Sequence, residues 1–160
     1  MKLSVVIPVL DEEGVIGPTV RAVLERATEA PEIVVADGGS SDGTVREALE
    51  AGAGRVIQAP RGRARQMNAG ASTAEGEVLY FLHADTLPPE GFDRQIASAL
   101  ASGCSAGCFR LSFRPSHPLL EIYAWFTRFD VDAFRFGDQS LYVTHRLFNR
   151  SGGFREDHYR

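Results

Sequence analysis

Apolar runs and amphipathic segments alternate along the first hundred residues. Four short apolar runs predict buried strands, at residues 3–10, 32–36, 55–58 and 77–82. Helical spacing of apolar positions predicts helices that include residues 20–27, 45–49, 62–72 and 92–100. Strands alternating with helices of this length predict an α/β fold, in which a mostly parallel, Rossmann-like sheet carries helices on both faces.

The second half of the chain has a different pattern. Residues 106–113 alternate as an exposed or antiparallel strand does, and residues 119–136 are rich in aromatic side chains. We interpret the aromatic stretch as core, although an acceptor platform or a membrane-surface helix would have a similar composition. No linker or repeat is present, so we expect a single domain over residues 1–160 with a mixed second half, 104–160.

Composition excludes several classes of protein. The formal net charge is −4, the opposite of what a nucleic-acid-binding domain usually carries. Lys2 is the one lysine, so a P-loop or a Schiff base has no candidate further along the chain. The first strand runs into Asp11 rather than into the glycine-rich turn of a dinucleotide-binding fold. The two cysteines, the absence of a signal-like start and the lack of a long apolar run indicate a reduced, cytoplasmic protein without a transmembrane segment.

Acidic residues follow three of the four predicted strands. Ligands of open α/β sheets bind outside the carboxyl ends of the strands, where Asp11 and Glu12, Asp37, and Asp85 are expected. One such carboxylate is often a helix cap. Three on one edge would repel each other unless a cation or a basic ligand compensates. The pattern therefore favours a binding site.

Two of the loops carry further signals. Asp37 and Gly39 belong to a glycine-rich loop in which the backbone can approach a ligand and a carboxylate can accept from a base N–H or a ribose hydroxyl. A plain turn, with Ser41 or Asp42 capping the next helix, is the alternative. Arg61 and Arg65 open the third helix, where guanidinium groups and the helix N-terminus suit phosphates; a solvated basic surface is the alternative.

The fourth strand ends in His83-Ala84-Asp85. Alternation along an extended chain would put His83 and Asp85 on the same side, where they could hold Mg²⁺ or Mn²⁺ together with substrate phosphates. A strand end that merely caps the next turn would look the same. Asp138 and Gln139 form a polar patch suited to sugar hydroxyls, with a simple turn nearly as well supported.

Taken together, these motifs resemble the family 2 glycosyltransferases of the GT-A fold. The matching segments are residues 6–13, 34–44, 61–70, 79–86 and 152–154. The Gly-Arg-x-Arg-Gln-Met-Asn and Leu-His-Ala-Asp-Thr sequences look like those of a small bacterial subgroup, some members of which are associated with arsenosugar biosynthesis.

The resemblance implies roles for individual residues. It implies a donor site formed by Pro8, Glu12, Asp37, Gly39, Arg61, Arg65 and Asn68. Within that set Asp37 would read the base, usually uracil, and Arg61 or Arg65 would approach the diphosphate. Asp85 matches the metal-binding end of the family's Asp-x-Asp motif, and His83 stands in place of its first acid.

The implied activity is a metal-dependent, inverting transfer of a sugar from a nucleoside-diphosphate sugar, UDP-type favoured, to a hydroxyl acceptor. Residues 1–103 would bind the donor, and residues 104–160, including Asp138 and Gln139, would face the acceptor. Glu156-Asp157 lies closer to Gly-Gly-Phe than the family's base does, so we expect the base beyond Arg160 in a C-terminally truncated domain, with Asp157 as the other candidate. A non-catalytic nucleotide-binding module and, less well supported, a nucleotidyltransferase stay open, and a homo-oligomer is compatible with the sequence.

Overall fold

The computed structural model describes residues 1–109 and 140–156. Its sheet has six strands in the order β3-β2-β1-β4-β6-β5. The strands are β1 (Leu3–Val9), β2 (Glu32–Asp37), β3 (Arg55–Gln58), β4 (Val78–Phe81), β5 (Ala106–Cys108) and β6 (Leu141–Thr144). The helices are α1 (Ile16–Arg26), α2 (Thr44–Glu50), α3 (Arg63–Thr73), α4 (Phe92–Ala101) and α5 (His145–Ser151).

The sheet is parallel across β3, β2, β1 and β4, and it becomes antiparallel where β6 joins β4 and β5 joins β6. The predicted α/β fold with a mostly parallel sheet and a mixed second half is therefore confirmed. The register pairs Val6 of β1 with Val34 of β2 on one side and with Phe81 of β4 on the other. β1 is thus hydrogen-bonded along both edges.

Helices cover both faces of the sheet, as the apolar runs predicted. Val5 and Ile7 of β1 pack into one core cluster with residues of α1, α2 and α4. Val6, between them in sequence, packs into a second cluster that includes residues of α3 and α5. A strand buried on both faces needs apolar residues at successive positions, which explains the continuous run in β1.

α3 lies unusually close to the sheet. Gly70, in the middle of this helix, is buried, and a Cβ added there would overlap Val6 Cγ1. The first turn of α3 contacts the ends of β1 and β2 through Gln66, which bonds to the carbonyl groups of Val9 and Ala36.

The second half contains two elements that the sequence pattern did not predict. β6 and α5 follow each other directly, and Thr144 accepts a hydrogen bond from the backbone N–H of Leu147 at 3.3 Å to begin the helix. The predicted strand at 106–113 is found as the antiparallel β5 for residues 106–108. Its last residues, 110–113, and the aromatic stretch 119–136 lie outside the described residues.

Among the helices of the described residues, none combines the length and the apolarity needed to span a membrane.

Candidate functional site

The carboxyl ends of β2, β1 and β4 lie side by side, because these strands are neighbours in the sheet. The loops that follow them and the start of α3 therefore form one edge, which we call the carboxyl edge. Pro8, near the end of β1 and paired in register with Ala36, is half-buried there. All the predicted donor-site residues up to Asn68 belong to this edge or to α3, which begins at it.

The loop after β1 is held by the loop after β2 and by α2 through a series of hydrogen bonds. Four successive backbone N–H groups each donate to a side chain: Asp11 N to Ser40 Oγ (2.9 Å), Glu12 N to Thr44 Oγ1 (2.7 Å), Glu13 N to Asp42 Oδ2 (3.1 Å) and Gly14 N to Glu47 Oε2 (2.5 Å). These acceptors satisfy backbone donors that would otherwise lack partners. Asp42 and Glu47 therefore serve to fix the loop.

Asp11 has a similar structural task. It is the one non-glycine residue with positive φ (53°) within the described residues. Its carboxylate accepts from the backbone N–H of Ser41 at 2.7 Å. Aspartate adopts this backbone conformation more readily than most residues with a side chain, and the bond to Ser41 of the neighbouring loop holds it there. Asp11, the first acid after β1, therefore stabilises the structure of the two loops.

Asp37 is buried at the end of β2, with 2% of its surface exposed. Its carboxylate accepts from the backbone N–H groups of Gly39 (3.2 Å) and Ser40 (3.0 Å) and from the Ser40 hydroxyl. Gly39 itself has φ of +94°, a conformation that favours glycine, as the loop sequence predicted. The carboxylate shapes the glycine-rich loop, and its predicted contact with the base stays a prediction.

Gln66 is a residue of this edge whose role the sequence did not reveal. It is buried, and its Nε2 donates to the carbonyl groups of Val9 (2.7 Å) and Ala36 (2.9 Å). Its Oε1 accepts from the backbone N–H of Gly62 at 3.3 Å. One side chain thus joins the ends of β1 and β2 to the start of α3. A polar residue on the sheet-facing side of a helix was the available signal.

The predicted arginine cluster does open a helix. α3 begins at Arg63, and Gly62 before it has φ of +131°. Arg61 and Arg65 are exposed, and Arg65 Nε lies 3.7 Å from Glu156 Oε2. Arg61 precedes the helix N-terminus and Arg65 lies in its first turn, and the dipole and free N–H groups of that terminus also attract anions.

Asn68 holds the segment that follows α5. Its Nδ2 donates to Phe154 O and to Glu156 Oε1, each at 2.9 Å, and its Oδ1 accepts from Phe154 N at 2.9 Å. The predicted contact of Asn68 with the donor stays a prediction. The bonds described here give this side chain an anchoring role.

The segment after β4 does not have the predicted extended geometry. β4 ends at Phe81, and residues 83–86 form a turn in which Thr86 N donates to His83 O at 3.1 Å. The expectation that alternation puts His83 and Asp85 on the same side of a strand is wrong, because the chain turns before Asp85. The turn leaves Asp85 exposed and His83 half-buried.

Glu12 is the acid of the edge on which the charges of Asp85 and Asp42 act. Burial raises the pKa of Glu12 above its usual value, and the nearby charges of Asp85 and Asp42 raise it further. The Glu12 carboxylate accepts no hydrogen bond from the described residues, and Asp85 Oδ1 accepts one from Thr86 Oγ1 at 3.3 Å. Two carboxylates that repel each other and keep free lone pairs fit a hard divalent cation.

A cation at this place would take further ligands from elsewhere. Within the described ranges, no group of three His, Cys, Asp or Glu side chains is arranged to hold a metal ion. Mg²⁺ is commonly bound by one or two carboxylates together with substrate phosphates and water, so the pair suffices when a diphosphate is present. The predicted acceptor residues Asp138 and Gln139, and the base candidate Asp157, lie outside the described residues.

The fold and this edge define a class of protein. A mostly parallel sheet with helices on both faces and acids at its carboxyl edge is the architecture of open α/β proteins, and the family and the similar solved structures identify it as the GT-A type of glycosyltransferase fold. The family model described as glycosyl transferase family 2 matches residues 4–152, and the chain belongs to that family. No curated protein matches the sequence significantly.

Solved structures share this fold at low sequence identity. TarS (residues 1–349) of S. aureus has a TM-score of 0.74 at 17% identity, with 98% of this chain and 51% of that chain covered. Glucosyl-3-phosphoglycerate synthase of M. tuberculosis has a TM-score of 0.67 at 20% identity, with 92% and 58% covered. A mycobacterial protein has a TM-score of 0.68 at 23% identity, with 92% and 54% covered. The chain thus spans about half the length of the structures that it matches.

Proposed function

We propose that this chain forms the donor-binding part of a metal-dependent, inverting glycosyltransferase that takes a sugar from a nucleoside-diphosphate sugar. The observation that carries the proposal is that Glu12 and Asp85 follow neighbouring strands at the carboxyl edge and that neither carboxylate accepts a hydrogen bond from the backbone of the described residues. The charge of Asp85 also raises the pKa of Glu12. Other acids of this edge, such as Asp37 and Asp42, already accept hydrogen bonds that shape the loops. Glu12 and Asp85 retain lone pairs for a cation.

A UDP-type donor is the favoured substrate. TarS has been crystallised with UDP-GlcNAc, and the M. tuberculosis synthase with UDP and Mn²⁺. In this chain the backbone around Pro8 and the loop of Asp37 and Gly39 would border the nucleoside. Arg61 and Arg65, exposed beside the start of α3, would face the diphosphate, where a guanidinium can bind phosphate oxygens in pairs.

The chemistry that a bound Mg²⁺ or Mn²⁺ supplies is neutralisation of charge on the departing diphosphate. Asp85, with Glu12 nearby and His83 in the same turn, would hold that cation. Arg61 and Arg65 would also stabilise the charge that develops on the diphosphate. A carboxylate acting as general base would take the proton of the acceptor hydroxyl as it attacks the anomeric carbon. Asp157 stays a candidate for that base, and Asp138 and Gln139 stay candidates for acceptor contacts.

Isothermal titration calorimetry tests the donor site. UDP is titrated into the wild-type chain, Asp85→Asn and Glu77→Gln, each with Mn²⁺ and with EDTA. Glu77→Gln is the control because Glu77 is an exposed acid just before the opposite end of β4. We expect Mn²⁺ to tighten UDP binding in the wild type and the control, and to have little effect in Asp85→Asn. Binding that is equally tight with EDTA in all three would contradict the metal assignment.

Turnover is tested separately from binding. Incubation of the chain with UDP-sugars and Mn²⁺, followed by detection of released UDP, measures donor hydrolysis or transfer. Release of UDP that Asp85→Asn abolishes supports the transferase. Mn²⁺-dependent UDP binding without release supports the alternative of a non-catalytic nucleotide-binding module. Membership of the subgroup associated with arsenosugar biosynthesis stays a prediction.

A further inference from the structure

We infer that Thr19 is a positioning residue that fixes the turn carrying Asp85 relative to Glu12. The inference rests on the proposed function, because it concerns the geometry of the proposed cation and diphosphate site. Thr19 lies in the second turn of α1, is 2% exposed, and is too deeply buried to contact a donor itself.

The Thr19 hydroxyl donates to the backbone carbonyl of Ala84, between His83 and Asp85. The hydroxyl also lies 3.3 Å from the carbonyl of Val15, four residues earlier in the same helix. A helical threonine commonly bonds to that preceding carbonyl, but here the contact with Ala84 is the shorter one. Of the two contacts, the one with Ala84 is the one that links α1 to the turn of Asp85. Ala84 is itself buried, so its carbonyl would be costly to leave unpaired.

The same helix also holds Glu12. The backbone N–H groups of Val15 and Ile16 both donate to Glu12 O at 3.1 Å, which starts α1 at the loop after β1. One turn later, the Thr19 hydroxyl donates a hydrogen bond to the carbonyl of Ala84. Because an α-helix is stiff over such a short distance, α1 connects the loop of Glu12 to the turn of Asp85 at a defined spacing, in addition to the pairing of β1 with β4.

The far end of the loop after β4 is tied to α1 as well. Arg26 Nη1 donates to Pro88 O at 2.6 Å, and Arg26 O accepts from Gly91 N at 2.8 Å. The loop over residues 84–91 is thus fastened to one helix near both of its ends. Thr19 fastens the end that carries Asp85, and Arg26 the end that leads into α4.

This arrangement gives the buried hydroxyl a consequence for ligand binding. Groups that orient a metal-binding side chain from behind typically change metal affinity by about 10- to 100-fold when they are removed. A helical threonine has two accessible χ1 rotamers, and the contact with the Ala84 carbonyl selects one of them. Loss of the hydroxyl should loosen the turn of Asp85 and leave the first turn of α1, with Glu12, in place.

Three variants separate positioning from general stability. Thr19→Val removes the hydroxyl at nearly constant volume, and Thr19→Ser keeps the hydroxyl without the methyl group. Val23→Ala is the matched control, because Val23 is buried in the same helix, one turn further on, and belongs to the apolar core. UDP affinity is measured by calorimetry across a range of Mn²⁺ concentrations, and amide hydrogen exchange is followed over residues 84–86 without any ligand.

We expect Thr19→Val to weaken Mn²⁺-dependent UDP binding about tenfold, with UDP binding in EDTA changed by less than about twofold. Thr19→Ser, which keeps the hydroxyl, should keep the wild-type Mn²⁺ dependence of UDP binding. Val23→Ala should lower the melting temperature while keeping wild-type Mn²⁺ dependence. The inference is overturned if folded Thr19→Val keeps the wild-type Mn²⁺ dependence, or if Val23→Ala loses it equally.

Amide exchange distinguishes failure of this inference from failure of the proposed function. If the wild type shows no Mn²⁺-dependent UDP binding, the proposed function is wrong. The positioning role of Thr19 is then tested by amide hydrogen exchange alone. Faster exchange at residues 84–86 in Thr19→Val, and not in Val23→Ala, supports the positioning role. Unchanged exchange in Thr19→Val overturns it.

Discussion

The side-chain amide of Asn68 makes two hydrogen bonds to the backbone of Phe154: its Nδ2 donates to the Phe154 carbonyl and its Oδ1 accepts from the Phe154 N–H, each at 2.9 Å. The Phe154 ring packs at the same time against Phe81 and Phe148. The two hydrogen bonds to Asn68 therefore hold the segment after α5 against α3, and the ring contacts of Phe154 stabilise it there. Glu156, two residues further, reaches Asn68 and Arg65 as a result.

Replacement of Asn68 by alanine should release this segment. Two hydrogen bonds to half-buried backbone groups are lost, and we expect the free energy of unfolding to fall by about 2 kcal/mol. Urea unfolding followed by circular dichroism measures the change. Asn149→Ala is the control, because Asn149 is exposed and its side chain makes no hydrogen bond within the described residues. Equal stability of the two variants would contradict the anchoring role.

Gln66→Glu should be more damaging, because it replaces the amide donor with an oxygen facing the carbonyls of Val9 and Ala36. At pH 7 we expect a loss of about 3 kcal/mol in the free energy of unfolding, the cost of a buried charge without its donors. The loss should shrink towards pH 4 as the new carboxyl group takes up a proton. Gln58→Glu, at an exposed position at the end of β3, is the matched control. A comparable loss in Gln58→Glu would show that the effect comes from added charge alone.

Much of the fold was predictable because its signals are local. β1, β2 and β4 are buried on both faces, so each appears in the sequence as a continuous apolar run. The parallel arrangement then places Glu12 and Asp85 at one edge without any knowledge of contacts. β6 was missed even though Leu141–Thr144 is rich in β-branched and aromatic residues, because it is short and α5 follows it at once.

The sequence did not predict which acids hold the backbone of the loops and which face a ligand. Whether an aspartate holds a backbone or faces a ligand depends on partners far away in sequence, such as the bond between Glu13 N and Asp42. The same holds for Asn68, whose partner Phe154 lies near the other end of the chain. The turn at residues 83–86 was also missed, because an apolar run does not show where a strand ceases to pair.

We expect Gly70→Ala to destabilise the protein, although alanine usually stabilises a helix relative to glycine. In the interior of a helix, alanine is usually more stabilising than glycine by up to about 1 kcal/mol. Here the added methyl group would overlap Val6 Cγ1, and α3 or β1 would have to shift. We expect a net loss of about 1–3 kcal/mol in the free energy of unfolding. Ser72→Ala, at an exposed position in the same helix, should change it by less than about 0.5 kcal/mol. A stabilised Gly70→Ala variant would contradict the close packing of α3.

The last prediction concerns the dependence of stability on pH at Glu12. Burial, and then the charges of Asp85 and Asp42, raise the pKa of Glu12 above its model-compound value of 4.5. Folding therefore favours the protonated form, and this contribution to stability is fully present below pH 4.5 and is lost as the pH rises through the raised pKa. Glutamine cannot ionise, so Glu12→Gln avoids that loss.

The melting temperature of Glu12→Gln relative to the wild type should accordingly be constant below pH 4.5 and should rise between pH 4.5 and pH 7. Thermal unfolding at pH 4, 5, 6 and 7 measures the difference, with Glu77→Gln as a control at an exposed position away from this edge. Mn²⁺ together with UDP should reduce the difference at pH 7, because a cation held at this edge would relieve the same repulsion in the wild type. A difference that falls with rising pH would mean that Glu12 is stabilised as a carboxylate, contrary to the repulsion described here.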